Sequence, residues 1–232
     1  MVKLSSVQML ELWDRGARCH SLDRALLLLG SARPGESLEE LADVTIGMRD
    51  QVLIALRQAI FGRKLSSYID CPRCRTRLEF VLDTETLRGE VSDSPIEIDG
   101  LRVRRPTSRD LAAAISAQDT DQATLLLVQR CGMADGNQLP ILSGVQIEKI
   151  ESVLAEADSA ADIVLDFNCE QCGFVWQTSF DIGAYLWREV ELYAKALLAD
   201  IHTLARAYGW SEREVLDLSD ARRAAYIEMV TA

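Results

Sequence analysis

No stretch of this chain is apolar for long enough to cross a bilayer as a helix. Spanning takes roughly 20 consecutive apolar residues, and the longest run, around Leu26 to Leu29, falls far short. Met1 to Leu10 holds one lysine and no apolar run ending in a small-residue cleavage site. A secretory signal is therefore not expected, and the cytoplasm is the expected compartment. Histidine is scarce, with only His20 and His202. His20 reads as a helix-boundary residue, and His202, beside Ile201, as a packing or hydrogen-bonding one. The sequence has no phosphate-cradling glycine loop, no nucleophile elbow and no HExxH helix. No carboxylate spacing singles out an acid/base pair, and no repeat or low-complexity tract is present. These absences point away from an enzyme and from a small-molecule substrate.

What is present is an acidic chain of 232 residues with a formal net charge of −11. An excess of that sign repels phosphate backbones and anionic lipids, so nucleic acid and membrane surfaces are unfavoured partners. The one local exception is Arg102, Arg104, Arg105 and Arg109. With no base-stacking aromatics interleaved, it reads as a solvated strand edge.

The expected fold class is α+β, mostly helical, with a small zinc-ribbon β element and an inserted α/β subdomain. Residues 1–64 read as helices with strong start signals. Ser5 with Gln8 and Ser37 with Glu40 are capping-box pairs, Ser21 is a candidate cap for Leu22 to Leu29, and Thr45 opens Ile46 to Phe61 with Gly62 as the stop. Residues 65–88 and 163–182 read as strands around cysteines, the two halves of a discontinuous ribbon. Between them, 89–162 reads as the insertion. Alternating Ile96, Ile98, Leu101 and Val103 flank Asp99-Gly100, a strong hairpin signal. Helices follow from Ser108 to Ile115, Gln122 to Cys131 and, after a loop over Gly132 to Gly144, on to Ala157. Residues 183–232 open with a helix to Tyr208, roughly 37 Å long at 1.5 Å per residue. Leu186, Val190, Tyr193, Leu197, Ile201, Leu204 and Tyr208 form one apolar seam along it.

Of six cysteines, four fall into two CxxC pairs, Cys71/Cys74 and Cys169/Cys172, each set between strands. A CxxC turn brings two thiolates to one side of a tight knuckle, and two knuckles supply the four soft ligands that tetrahedral zinc prefers. One structural zinc per chain is the expected cofactor. The same ligands suit a rubredoxin-like iron, and separate buried thiols are a further reading. A redox dithiol at Cys71-Pro72-Arg73-Cys74 fits poorly, because that motif opens a helix and here a strand follows. Arg75 stands where such knuckles usually place glycine; Gly173 keeps that role in the second. Arg73, Arg75 and Arg77 surround the first knuckle and would offset thiolate charge. Cys19 and Cys131 stand alone and read as small apolar residues.

Several segments, in order, resemble a known family: LELWDRGARCHSLDRALLLL from Leu10, GMRDQVLIALRQAIFG from Gly47, CPRC followed by LEF, RRPTSRDL from Arg104, LDFNCEQCGFVW from Leu165, and HTLARAYGWSEREVLDLSDARRAAY from His202. The family is encoded in gene clusters for phage-tail-like contractile injection systems and is described as baseplate or baseplate-hub assembly proteins. The resemblance implies a non-enzymatic baseplate component or assembly chaperone whose partners are baseplate or spike proteins. Trp210 and Tyr226 are candidate interface anchors. The alternatives are a zinc-ribbon nucleic-acid-binding or regulatory adaptor protein, and an enzyme using Ser94 to Ala157 as a substrate domain.

Overall fold

The computed structural model describes residues 4–133 and 142–231, and over these the chain is mostly helical α+β with small antiparallel sheets. Helix α1 (Ser6–Gly16) opens with the full capping box of Ser5 and Gln8. In α2 (Ser21–Ala32) the cap is His20 and not Ser21: His20 Nδ1 accepts the Leu22 N–H at 3.3 Å. An unprotonated ring nitrogen accepts as a hydroxyl would. Short α3 (Leu38–Ala42) has the Ser37/Glu40 box. Helix α4 (Ile46–Phe61) has the expected bounds, although Thr45 does not cap it. The Thr45 hydroxyl turns to Asp93 Oδ1 instead.

Four of the helices make the main core. Helix α8 (Ile182–Tyr208) packs on α1, α2 and α4 through Leu186, Trp187 and Val190 against Leu12, Leu28, Leu29, Leu53 and Ile54. Burying side chains of this size contributes about 2 kcal/mol each before entropic costs. Farther along α8 a second core joins Leu197, Ile201 and Leu204 to Leu10, to Val215 of α9 (Glu212–Leu216), and to half-buried Tyr226 and Ile227 of α10 (Asp220–Thr231). The expected seam holds with two shifts. Ala194 is the fully buried residue beside Tyr193, whose hydroxyl meets Ser6 Oγ at 3.1 Å, and Tyr208 is 42% exposed. His202 is exposed, contrary to the packing role expected for it, because it faces away from that seam.

Strands β1 (Lys64–Asp70) and β2 (Arg77–Asp83) form one hairpin, followed by a 3-10 turn at Thr84–Leu87. A third core belongs to the segment between the cysteine pairs. Hairpin β3 (Ile96–Ile98) and β4 (Leu101–Val103) turns at Asp99 and Gly100, with φ of 50° and 79°. Ile98 and Val103 pack on Val128 and Cys131 of α6 (Thr120–Cys131) and on Ile150 of α7 (Gly144–Ala157). The loop expected from Gly132 does not begin there: Gly132–Met133 forms β5 on the free edge of β4. The rest of that loop, 134–141, lies outside the described residues.

Within the arginine cluster Arg102 and Arg109 are exposed as expected, but Arg104 and Arg105 are not a solvated edge. Asp110 of α5 (Ser108–Ala114) is fully buried and accepts from both Arg104 Nη atoms at 2.6 and 2.9 Å, from Arg130 Nε at 2.8 Å and from Thr107. Burial alone would raise its pKa, but these donors hold the carboxyl well below its ordinary range. Arg105 is buried and donates to Ser94 O and Ala157 O, and Arg109 pairs with Asp43 at 2.7 Å. Arg104 and Arg105 therefore act as internal clamps, since buried carbonyls and a buried carboxylate require donors, whereas Arg109 and Asp43 make an exposed pair at the surface.

Candidate metal centre

The two cysteine pairs lie at the tips of two hairpins. Cys71 follows β1, and Cys169 follows β6 (Val164–Asn168), which pairs with β7 (Val175–Ser179). Both tips have the same backbone. The Cys71 N–H donates to Thr76 O at 2.9 Å, and the Arg75 N–H returns to Cys71 O at 2.9 Å. The matching bonds, Cys169 N–H to Phe174 O and Gly173 N–H to Cys169 O, are 2.9 and 2.7 Å. The departure at Arg75 does not change the turn: Arg75 sits at φ 64° and Gly173 at φ 67°. An arginine there bears the left-handed strain, about 1–2 kcal/mol, that glycine avoids.

The four sulfurs meet in a crossed arrangement. Cys71 Sγ is 3.7 Å from Cys172 Sγ, and Cys74 Sγ is 3.6 Å from Cys169 Sγ. All four lie within 4.8 Å of one another. These separations exceed a disulfide bond of about 2.05 Å, and all six cysteines are free. Four thiolates about 2.3 Å from a central tetrahedral ion would stand roughly 3.8 Å apart. The sulfur set fits a metal ion on that measure, and it is drawn from positions 95 and 101 residues apart.

The second cysteines of the two turns are drawn in opposite directions. Donors from the Thr76 hydroxyl and N–H draw the exposed Cys74 thiol down to about 6. The Phe174 N–H acts in the same direction on Cys172, but desolvation and the neighbouring thiols outweigh it and push Cys172 up to about 12. A divalent cation held here would bind all four as thiolates, with release of protons. Of the expected offsetting cations, Arg77 is engaged elsewhere: its guanidinium sits 4.1 Å above the Tyr68 ring and 3.2 Å from Asp70.

Sequence reasoning did not find what joins the hairpins away from the sulfurs. Each presents one face, with Leu65, Ile69, Leu78 and Phe80 on the first and Leu165, Phe167 and Trp176 on the second. Phe80 meets Phe167 edge-on at 5.0 Å, and Phe167 stacks on Trp176 at 5.4 Å. The signal was the alternation of exposed and half-buried positions in all four strands; which ring meets which is a non-local fact. Beneath the first hairpin, Arg57 of α4 makes a bidentate pair with Glu189 of α8 at 3.0 and 2.7 Å and donates to Gly62 O and Lys64 O. That buried fork fixes β1 to two core helices. His20, His202, Cys19 and Cys131 stand outside the four-sulfur cluster.

Among the described residues, no helix is long and apolar enough to cross a membrane. Comparison with protein-family models, curated proteins and solved structures yields no match.

Proposed function

We propose that this chain is a non-enzymatic, zinc-stabilised baseplate component or assembly chaperone of a contractile, phage-tail-like injection system, working in the cytoplasm through protein partners. The observation that carries the zinc and the structural role is the four-sulfur cluster, at tetrahedral spacing, between hairpins distant in sequence. Four thiolates fill the preferred coordination of zinc and leave no position for water or substrate. Such an ion supplies folding energy, on the order of 10 kcal/mol in small zinc modules. Here Cys71, Cys74, Cys169 and Cys172 would hold it, clamping the two hairpins against the α4–α8 core. The ordered resemblance of six segments to baseplate assembly proteins supplies the biological setting.

The nucleic-acid-binding alternative has less to stand on, because Arg104 and Arg105 are occupied by internal partners and Arg109 is paired at the surface with Asp43. Protein purified without chelator should release about one zinc per chain on denaturation, read by elemental analysis, and should co-purify with baseplate or spike proteins from its host. Iron in place of zinc would overturn the metal assignment. Sheathed particles that assemble normally after gene deletion would overturn the assembly role.

A further inference from the structure

The buried seam of α8 has a counterpart on its opposite side. The exposed positions Ala184, Arg188, Leu192, Lys195, Ala199, His202 and Arg206 recur at intervals of 4, 4, 3, 4, 3 and 4, a second helical stripe about 33 Å long. Leu192 at its middle is 60% exposed, with Ala196 and Ala199 one and two turns beyond. No exposed residue of α8 is acidic. The acids of this helix are taken by other partners: Glu189 by Arg57, Glu191 by Lys195 and Asp200 by Arg223. Arg188 and Arg206 form no hydrogen bond or ion pair among the described residues. The stripe is thus cationic on a chain of net charge −11. Each end opens into a groove. Ala184 and Arg188 border one lined by Phe80, Phe167 and Tyr185, and Arg206 borders another beside Val230 of α10.

We propose that this face of α8 is a docking track for an acidic amphipathic helix of a partner protein. The alternating 3 and 4 steps place Leu192, Ala196 and Ala199 as the ridge a second helix packs against, and the alanines permit close approach. Arg188 and Arg206, with Lys195 already paired to Glu191, then flank the contact and select carboxylates, steering association and rejecting basic helices. A second copy of this chain is the wrong occupant, since antiparallel pairing of this face with itself would set Arg188 against Arg206. The proposal deepens the protein-partner reading above by giving the partner's chemistry.

The test uses the purified full chain and two labelled amphipathic peptides, about three heptads long, identical except for Glu or Lys at the flanking positions. Fluorescence anisotropy at physiological salt should show the Glu peptide binding about tenfold or more tighter. The R188E/R206E variant should invert that preference, and Leu192→Asp should weaken binding of the Glu peptide about tenfold. These side chains are exposed and, among the described residues, unpaired, so circular dichroism and melting should be unchanged; Arg206→Glu alone serves if the double variant does not fold. Equal binding of the two peptides, or an unaltered preference in the variants, overturns the proposal. So does tighter binding of single-stranded DNA or phosphatidylserine vesicles that the same substitutions abolish, which would assign the stripe to nucleic acid or lipid. Failure here leaves zinc content and baseplate co-purification untouched, so the two readings fail separately.

Discussion

Arg75 and Gly173 hold one left-handed position in two superposable turns, at φ 64° and 67°, which makes them a matched pair for experiment. Gly173→Ala should cost about 1 kcal/mol, because a Cβ is disfavoured at that φ. Arg75→Gly should cost nothing, or raise stability by up to about 1 kcal/mol, since relief of strain outweighs the added freedom of the unfolded chain. Denaturant melts of the zinc-loaded protein would separate the two. Asp50 offers a test by pH. Burial pushes its carboxyl from 3.8 up to about 6, against the pull of Arg49 2.7 Å away. From about pH 4 to about 6 the folded chain keeps a proton that the unfolded chain releases. Stability from this group therefore falls as pH rises through that window, by at most about 1.4 kcal/mol per unit. Buried Asp158, also raised, acts in the same sense. Asp110, held low, acts oppositely, its contribution being lost only as pH falls below its unfolded value. Melts across the window should show that Asp50→Asn flattens the slope.

Elements were legible in the sequence wherever the determinant is local. The Gly62 stop of α4, the Asp99-Gly100 turn and the capping boxes of α1, α3 and α7 all follow from residues within four positions of each other. The four cysteines were legible because CxxC between strands is itself local, although their meeting across 95 residues is not. What escaped depends on partners far along the chain. Thr45 looks like a cap, yet its hydroxyl turns to Asp93. Meanwhile the Asp158 carboxylate lies so close to Gly47, in the first turn of α4, that a Cβ there would collide with it. Arg104 and Arg105 look like a solvated edge until Asp110, Ser94 and Ala157 are placed beside them. The Arg57–Glu189 fork, 132 residues apart, belongs with these. Arg57→Ala strands Glu189 and two carbonyls, and should destabilise by about 3 kcal/mol or more. A methionine of similar length should recover little of that if the hydrogen bonds, and not the packing, account for the loss; equilibrium unfolding of both variants decides it.

At the scale of the whole molecule, three apolar cores are joined by few elements. Helix α8 runs through two of them, and the third, on 96–154, meets the helical body through polar contacts such as Arg49 with Ser108 Oγ and Arg109 with Asp43. The hairpins rest on the main core through Leu82, Leu165 and Phe180 and on each other through Phe80 and Phe167. Chelation should therefore uncouple the hairpins before the helices melt. Emission from Trp176 should shift to the red, in a background with the other three tryptophans replaced by phenylalanine, while far-UV helicity is retained. Loss of both signals together would show that the ion holds the whole body and not the ribbon alone.

The cluster also has an inside and an outside. Cys71 and Cys169 are 0% and 1% exposed, whereas Cys74 faces solvent and Cys172 is half-open. The second cysteine of each turn is thus the way in for any small electrophile, and the first is reached only after the tip has opened. Timed treatment with iodoacetamide should carboxamidomethylate Cys74 and Cys172 ahead of Cys71 and Cys169, giving a ladder of masses whose order reports how the tips open.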